Sequence, residues 1–159
     1  MKNINKSVLV ITILASLLAA TASVAKPASS EKHAAKATEL RQSVFKLLGS
    51  NMGTLGAMAK GKIPLDAKIV EKNATRINQL SLMIADYSRT DTSKFDVKTE
   101  ALDKVWQDFT HYIEDADKLV LASADLIVAS QSKDESAIKK AIGGVGKTCG
   151  GCHDDFKED

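Results

Sequence analysis

Aromatic side chains are scarce in this 159-residue chain, at 4% of its residues. Runs of β-branched residues are short, strand alternation of useful length is missing, and no internal repeat is visible. These absences speak against a β-sheet protein. Proline occurs twice and glycine nine times, which excludes collagen-like and low-complexity sequence, while 44% hydrophobic content excludes disorder. Neither sign of charge dominates: 22 Lys+Arg face 20 Asp+Glu, so the chain is not a dedicated nucleic-acid binder. What it has in quantity is Ala, Leu, Lys, Glu and Asp, the composition of helices. The length suits one ordinary domain with its own core.

The one long uncharged apolar run, Ser7–Ala20, follows Lys2 and Lys6 and precedes the small residues Thr21-Ala22-Ser23-Val24-Ala25. A basic start, an apolar run and small residues at −3 and −1 read as a cleavable export signal. Residues 1–25 are therefore expected to leave, with a cut after Ala22 as the alternative, and residues 26–159 to form a single domain with no membrane attachment. Removing Lys2 and Lys6 leaves 20 basic against 20 acidic side chains in residues 26–159.

Four helices can be read in that domain. The first, about Ser30 to Lys60, carries Leu40, Val44, Leu47, Leu48, Leu55 and Met58 at threes and fours and stops at Gly61-Lys62-Ile63-Pro64. The second starts after Pro64, with Asp66 near its positive end, and stops near Tyr87. Ser88–Lys98 reads as the longest loop. The third helix is expected from about Thr99 to Ser130 on Leu102, Val105, Trp106, Phe109, Tyr112 and their periodic successors. Ser132 and Glu135 form a capping-box pattern for a fourth helix running to the C-terminus. The expected fold is all-α, an antiparallel up-down-up-down four-helix bundle.

Both cysteines fall in one pentapeptide, Cys149-Gly150-Gly151-Cys152-His153. C-x-x-C-H is the attachment sequence of c-type haem. Thiols at i and i+3 on a helix face the same way, so both can reach the two vinyl groups of one porphyrin, and the adjacent imidazole sits under the iron. A structural zinc site would need two further ligands, a thioredoxin-like pair expects a βαβ setting, and a disulfide here would close too short a loop to stabilise much. Export fits haem attachment. Ala141–Thr148 mimics a phosphate loop, but a helix precedes it and the haem motif overlaps its end.

Only six residues follow His153, so no downstream Met can complete a small globular cytochrome. A C-terminal C-x-x-C-H on the last of four helices resembles the cytochrome c′ family, the class II c-type cytochromes. The resemblance runs through Arg41-Gln42-Ser43, Gly61-Lys62-Ile63-Pro64, Trp106 and Gly146–Phe156. It implies one covalent haem c per chain on Cys149 and Cys152, with His153 as axial ligand, and a homodimer through the first two helices. Gly49, Gly53, Gly56 and Ala59 would permit such close helix contact, or intrachain packing equally.

In that family the residue four positions after the first-helix Arg sets the distal haem face. Met there makes a six-coordinate electron carrier, and a non-ligating apolar residue leaves the iron open. Here the position is Phe45, which has no lone pair. Leu48 and Met52 lie further along the same helix, and Met52 as sixth ligand is the competing arrangement. Arg41 resembles the family's distal Arg near the haem propionates. Lys157 stands where the family often carries a proximal Arg, and Trp106 is expected near the haem edge or in the core. His33 and His111 are weaker ligand candidates. The implied function is a periplasmic, non-enzymatic haem protein of a bacterium that binds small diatomic gases, nitric oxide foremost, with electron transfer to an unspecified redox partner as a second use. The alternative is a six-coordinate electron-transfer cytochrome.

Overall fold

The computed structural model describes residues 24–158. The expected signal peptide lies almost wholly outside them. Two two-residue strands flank the first two helices. β1 (Lys26–Pro27) pairs in parallel with β2 (Thr90–Asp91) and ties the start of the domain to the middle of the chain.

α1 spans Glu31–Ala59. Ser30 caps it, its hydroxyl accepting from the His33 N–H at 3.2 Å. Gly61, at φ 68°, takes the left-handed conformation that ends a helix without a Cβ clash. α2 spans Ala67–Ser88. Its cap is Asp66, whose carboxylate accepts from Lys68 N at 2.8 Å and Ile69 N at 3.2 Å. Pro64 therefore lies before the helix, as expected.

The expected third helix is corrected twice. It begins five residues late, because residues 100–102 pair with the chain end: Leu102 N donates to Phe156 O at 3.0 Å and Glu158 N to Glu100 O at 2.8 Å. It is also broken. α3 (Lys104–Gln107) stops at Asp108, whose backbone leaves the helical region at φ −128°, ψ 56°. The Asp108 carboxylate then caps α4 (Phe109–Ser132) by accepting from His111 N at 3.3 Å. α5 (Glu135–Phe156) is capped by Asp134, not Ser132. The Asp134 carboxylate reaches Ser136 N at 2.8 Å, and the nearer acid displaces Ser132, whose hydroxyl accepts from Asp134 N.

The long helices form an antiparallel four-helix bundle, as the pattern predicted. α1 packs on α2, α2 on α4 and α4 on α5, while α1 and α5 touch only sparingly. Val70, Ala74 and Ile77 of α2, Leu119 and Leu126 of α4, and Ile138, Ile142 and Val145 of α5 make the core. Each large side chain so buried contributes about 1.5–3 kcal/mol. Two polar contacts join helices: Asn78 Nδ2 donates to Val120 O at 3.0 Å, and Ser88 shares a 2.9 Å hydrogen bond with the Tyr112 hydroxyl. Among the described residues no helix is long and apolar enough to cross a membrane.

Candidate functional site

The sparse contact between α1 and α5 marks a groove of about 1380 Å³. That exceeds the roughly 300–1,000 Å³ of ordinary small-molecule sites and suits a large planar group. Small residues make the room. Gly49, Gly53, Gly56 and Ala59 line the α1 wall, and Gly143 and Gly146 the α5 wall. A Cβ added at Gly49, Gly53, Gly56 or Gly143 would meet nothing within 4 Å. The small residues of α1 therefore face the groove and give no support to a helix contact with a second chain. Gly144, Gly150 and Gly151 of α5 do not line the groove.

α5 is unbroken from Glu135 to Phe156, which removes any phosphate-loop conformation at 141–148. Helical spacing brings Cys149 and Cys152 to one face, both half-buried, both free thiols and both lining the groove beside His153. Burial raises the Cys149 pKa. Burial, with Asp115, Cys149 and Asp155 close by, pushes Cys152 up to about 12. Both thiols are therefore held in the protonated form. A neutral thiol is what a thioether bond to a vinyl group consumes.

Arg41 is 3% exposed, and burial lowers its pKa from the ordinary value. Its Nη2 makes a long 3.4 Å contact to Thr99 Oγ1, and Nη1 has no partner among the described residues. A buried, half-satisfied guanidinium on a groove wall fits a carboxylate-bearing ligand. Phe45, Leu48 and Met52 line the same wall. The Met52 methyl carbon lies 3.6 Å from where a Gly146 Cβ would stand. Met52 is thus level with Gly146 across the groove. Seven residues back along α1 and seven forward along the antiparallel α5 bring Phe45 level with His153.

Other candidates are placed differently. Trp106 does not line the groove. Its ring stacks behind Arg41, 5.0 Å from Cζ, and its Nε1 donates to Ser88 O at 3.0 Å. Lys157 lines the groove but has left the helix, because its backbone is extended and bridges to Ala101. Its ammonium pairs with Glu100 at 3.1 Å. His33 is exposed and bonded to Ser29 at 3.1 Å, and His111 sits edge-on to Phe156; neither lines the groove. His111, Asp115 and Asp155 cluster closely enough to suggest a metal site. Both carboxylates, however, already hold lysines at 2.6 Å, Lys118 on Asp115 and Lys104 on Asp155.

Sequence reasoning missed the strap Lys98–Ala101, which forms the groove lip. Gln42 Nε2 donates to Lys98 O at 2.9 Å on one side, and Ala101 bridges Lys157 on the other. It also missed Tyr112, read only as core, which lines the groove and whose phenol burial pushes up to about 12. The available signal was that a buried Tyr hydroxyl needs a partner near an edge of the core.

A family model described as Cytochrome C' matches residues 36–157. The cytochrome c' of Rubrivivax gelatinosus is 39% identical over 122 residues, covering 77% of this chain and 94% of that protein. The cytochrome c prime structure from Shewanella frigidimarina is 38% identical, with a TM-score of 0.72 over 79% of this chain and 97% of that one. A nitric oxide complex of a mutant cytochrome c prime from Alcaligenes xylosoxidans is 24% identical and shares the fold, with a TM-score of 0.70 over 79% of this chain and 97% of that one.

Proposed function

The chain belongs to the cytochrome c′ family, whose members carry covalent haem c, and from that premise we propose that it is an exported gas-binding haem protein with an open distal face. Cys149 and Cys152 hold the haem, and His153 supplies one axial ligand. The bound iron offers its remaining position to a diatomic ligand, nitric oxide foremost, and one-electron exchange is a second use. The Arg41 guanidinium pairs with a propionate. Phe45 stands over the open side as a steric barrier.

The observation that carries this reading is the register across the groove. Met52 reaches the Gly146 position, and counting seven residues along each antiparallel helix from that contact puts Phe45 level with His153, two helical turns or about 10 Å away. For Met52 to serve as sixth ligand, α1 would have to slide by those two turns against α2. Selectivity then arises from the space a ring leaves above the iron.

The absorption spectrum of the ferrous holoprotein tests the reading, recorded alone, with nitric oxide and with carbon monoxide. High-spin five-coordinate iron, ready nitric oxide binding and weak carbon monoxide binding are expected. A low-spin spectrum without added ligand would assign the sixth position to Met52. Phe45→Met should move the iron toward six-coordinate low spin and weaken nitric oxide binding. Phe45→Ala should strengthen carbon monoxide binding. Both changes are close to volume-neutral or cavity-forming at a half-buried position, so the cost in stability should stay within about 1–3 kcal/mol. If neither variant moves the spectrum, Phe45 does not face the iron and Leu48 is the next distal candidate.

Export to the periplasm belongs to the same proposal. The mature mass should begin at Lys26, or at Ser23 for the earlier cut, with one haem of about 0.6 kDa attached through two thioethers. We place the homodimer on the outer faces of α1 and α2, where Leu47 and Leu82 stand 53% and 54% exposed. Sedimentation of the holoprotein at twice the mature mass supports that interface, and loss of the dimer in Leu47→Glu would locate it.

A further inference from the structure

Charge is divided unevenly in a domain whose basic and acidic side chains are equal in number. α4 carries Glu114, Asp115, Asp117 and Asp125 against a single lysine, Lys118. The groove mouth is the reverse. Besides Lys139, which pairs with Glu135 at 3.5 Å, and Lys157, the lining holds Lys46 from the α1 wall, Lys60 from its C-cap, Lys62 from the following turn and Lys98 from the strap. Lys46, Lys60, Lys62 and Lys98 are exposed, and none of these four forms an ion pair with a described residue. The acids among the lining residues are both engaged, Glu100 by Lys157 at 3.1 Å and Asp115 by Lys118 at 2.6 Å.

Lys46 on α1 and Lys60 at its C-cap are fourteen residues apart, which is about 21 Å along the helix. That span matches the small footprint of transient redox encounters, below roughly 1,200 Å² in total. Four unpaired ammonium groups held around one opening keep a local positive potential that net charge conceals. Resting on the haem reading above, we infer that this lysine rim is the docking surface for an acidic one-electron carrier protein. On docking, one electron passes from the reduced carrier to ferric iron, leaving ferrous iron and the oxidised carrier, with no bond made or broken.

Two other occupants are less well matched. A second copy could offer its acidic α4 face to the rim, but that contact is heterologous and would propagate rather than close. An anionic membrane favours basic residues on a protruding face, whereas these surround a recess.

The test starts with holoprotein whose covalent haem has been verified by mass. A bare chain at that step would end the haem reading before any docking is measured. The rate of oxidation of the ferrous protein by ferricyanide is then followed from about 0.01 M to about 0.15 M ionic strength, over which the screening length falls from about 30 Å to about 8 Å. A fall of about tenfold is expected, within the range of electrostatic steering. The variant carrying Lys46→Gln, Lys60→Gln, Lys62→Gln and Lys98→Gln should lose that dependence while keeping its helical circular dichroism. As a readout apart from electron transfer, polyglutamate titrated into isotope-labelled holoprotein should shift the amides of these four lysines and their neighbours. A flat salt dependence, unchanged behaviour of the variant, or shifts confined to other lysines would overturn the proposal. So would pelleting of the protein with phosphatidylglycerol vesicles, or self-association at low salt that the variant abolishes.

Discussion

α2 and α4 pack along their whole length, but α1 and α5 each lean on one neighbour and scarcely meet. The closed pair is built from side chains without remaining exposure, such as Val70, Ala74 and Leu126. The open pair is built from glycines that leave room and from groups that lack partners: Arg41 Nη1 and two free thiols. The same bundle geometry thus yields two kinds of surface. One is complete from the polypeptide alone, and the other is complementary to a group bound between the helices. α1 and α5 still send Leu55, Ile138 and Val145 into the core, so the division is between faces of these helices rather than between halves of the molecule.

The largest effect that would break this comparison is in hydrogen exchange. With haem attached, α1 and α5 gain a shared partner while α2 and α4 gain little. Compared with a Cys149→Ser/Cys152→Ser chain, the holoprotein should slow amide exchange in α1 and α5 by at least about a hundredfold, and in mid-α2 and mid-α4 by much less. Equal slowing throughout the four helices would mean that the halves are one cooperative unit. A leucine pair sharpens the same point. Leu126, at 0% exposure in the closed half, should cost about 3–5 kcal/mol as Leu126→Ala, since the removed atoms leave a sealed cavity. Leu48, 8% exposed on the groove wall, should cost about 1–2 kcal/mol less in the haem-free chain, because its space opens to the groove. Urea unfolding of both variants decides it.

Tyr112 belongs to the closed core and touches the groove, so its titration reports on both. Burial pushes its phenol up to about 12 from an ordinary value of about 10. Between those values the unfolded chain has lost the proton and the folded chain keeps it, so stability falls as pH rises. Its contribution is whole below about pH 10 and falls by roughly 2–3 kcal/mol by about pH 12. Tyr112→Phe should flatten that part of the alkaline unfolding curve. An unchanged curve would mean that another group controls it.

The closed half was largely legible in the sequence, because periodic Val, Ile and Leu at threes and fours can only face inward. The motif on α5 was legible because C-x-x-C-H combines spacing with chemistry. What was not legible depends on long-range pairing. Residues 99–103 carry a helical pattern, but their backbone is used by the chain end at Phe156 and Glu158, more than fifty residues away. Asp108 interrupts a periodic stretch because its carboxylate serves better as the cap of α4 than as an interior residue. Trp106 kept its helical phase yet turned to Arg41 rather than to the groove. The glycines of α1 could be read as a contact with another helix or as a cradle, and only the placement of α5 separates the two.

The smallest effect isolates that last distinction. Gly53 sits inside α1, where Ala is favoured over Gly by about 0.5–1 kcal/mol, and a Cβ there would meet nothing within 4 Å. In the haem-free Cys149→Ser/Cys152→Ser chain, Gly53→Ala should therefore stabilise by about that amount. Ala74→Gly, the reverse change at a fully buried position of α2, should destabilise by more than 1 kcal/mol, since packing is lost along with helix propensity. In the holoprotein the space beside Gly53 is where the bound group would lie. The same added methyl should then lose its advantage, or lower haem incorporation measured by intact mass. A Gly53→Ala gain of equal size with and without haem would place the group elsewhere in the groove, and a loss in the haem-free chain would mean that α1 and α5 close against each other when nothing is bound between them.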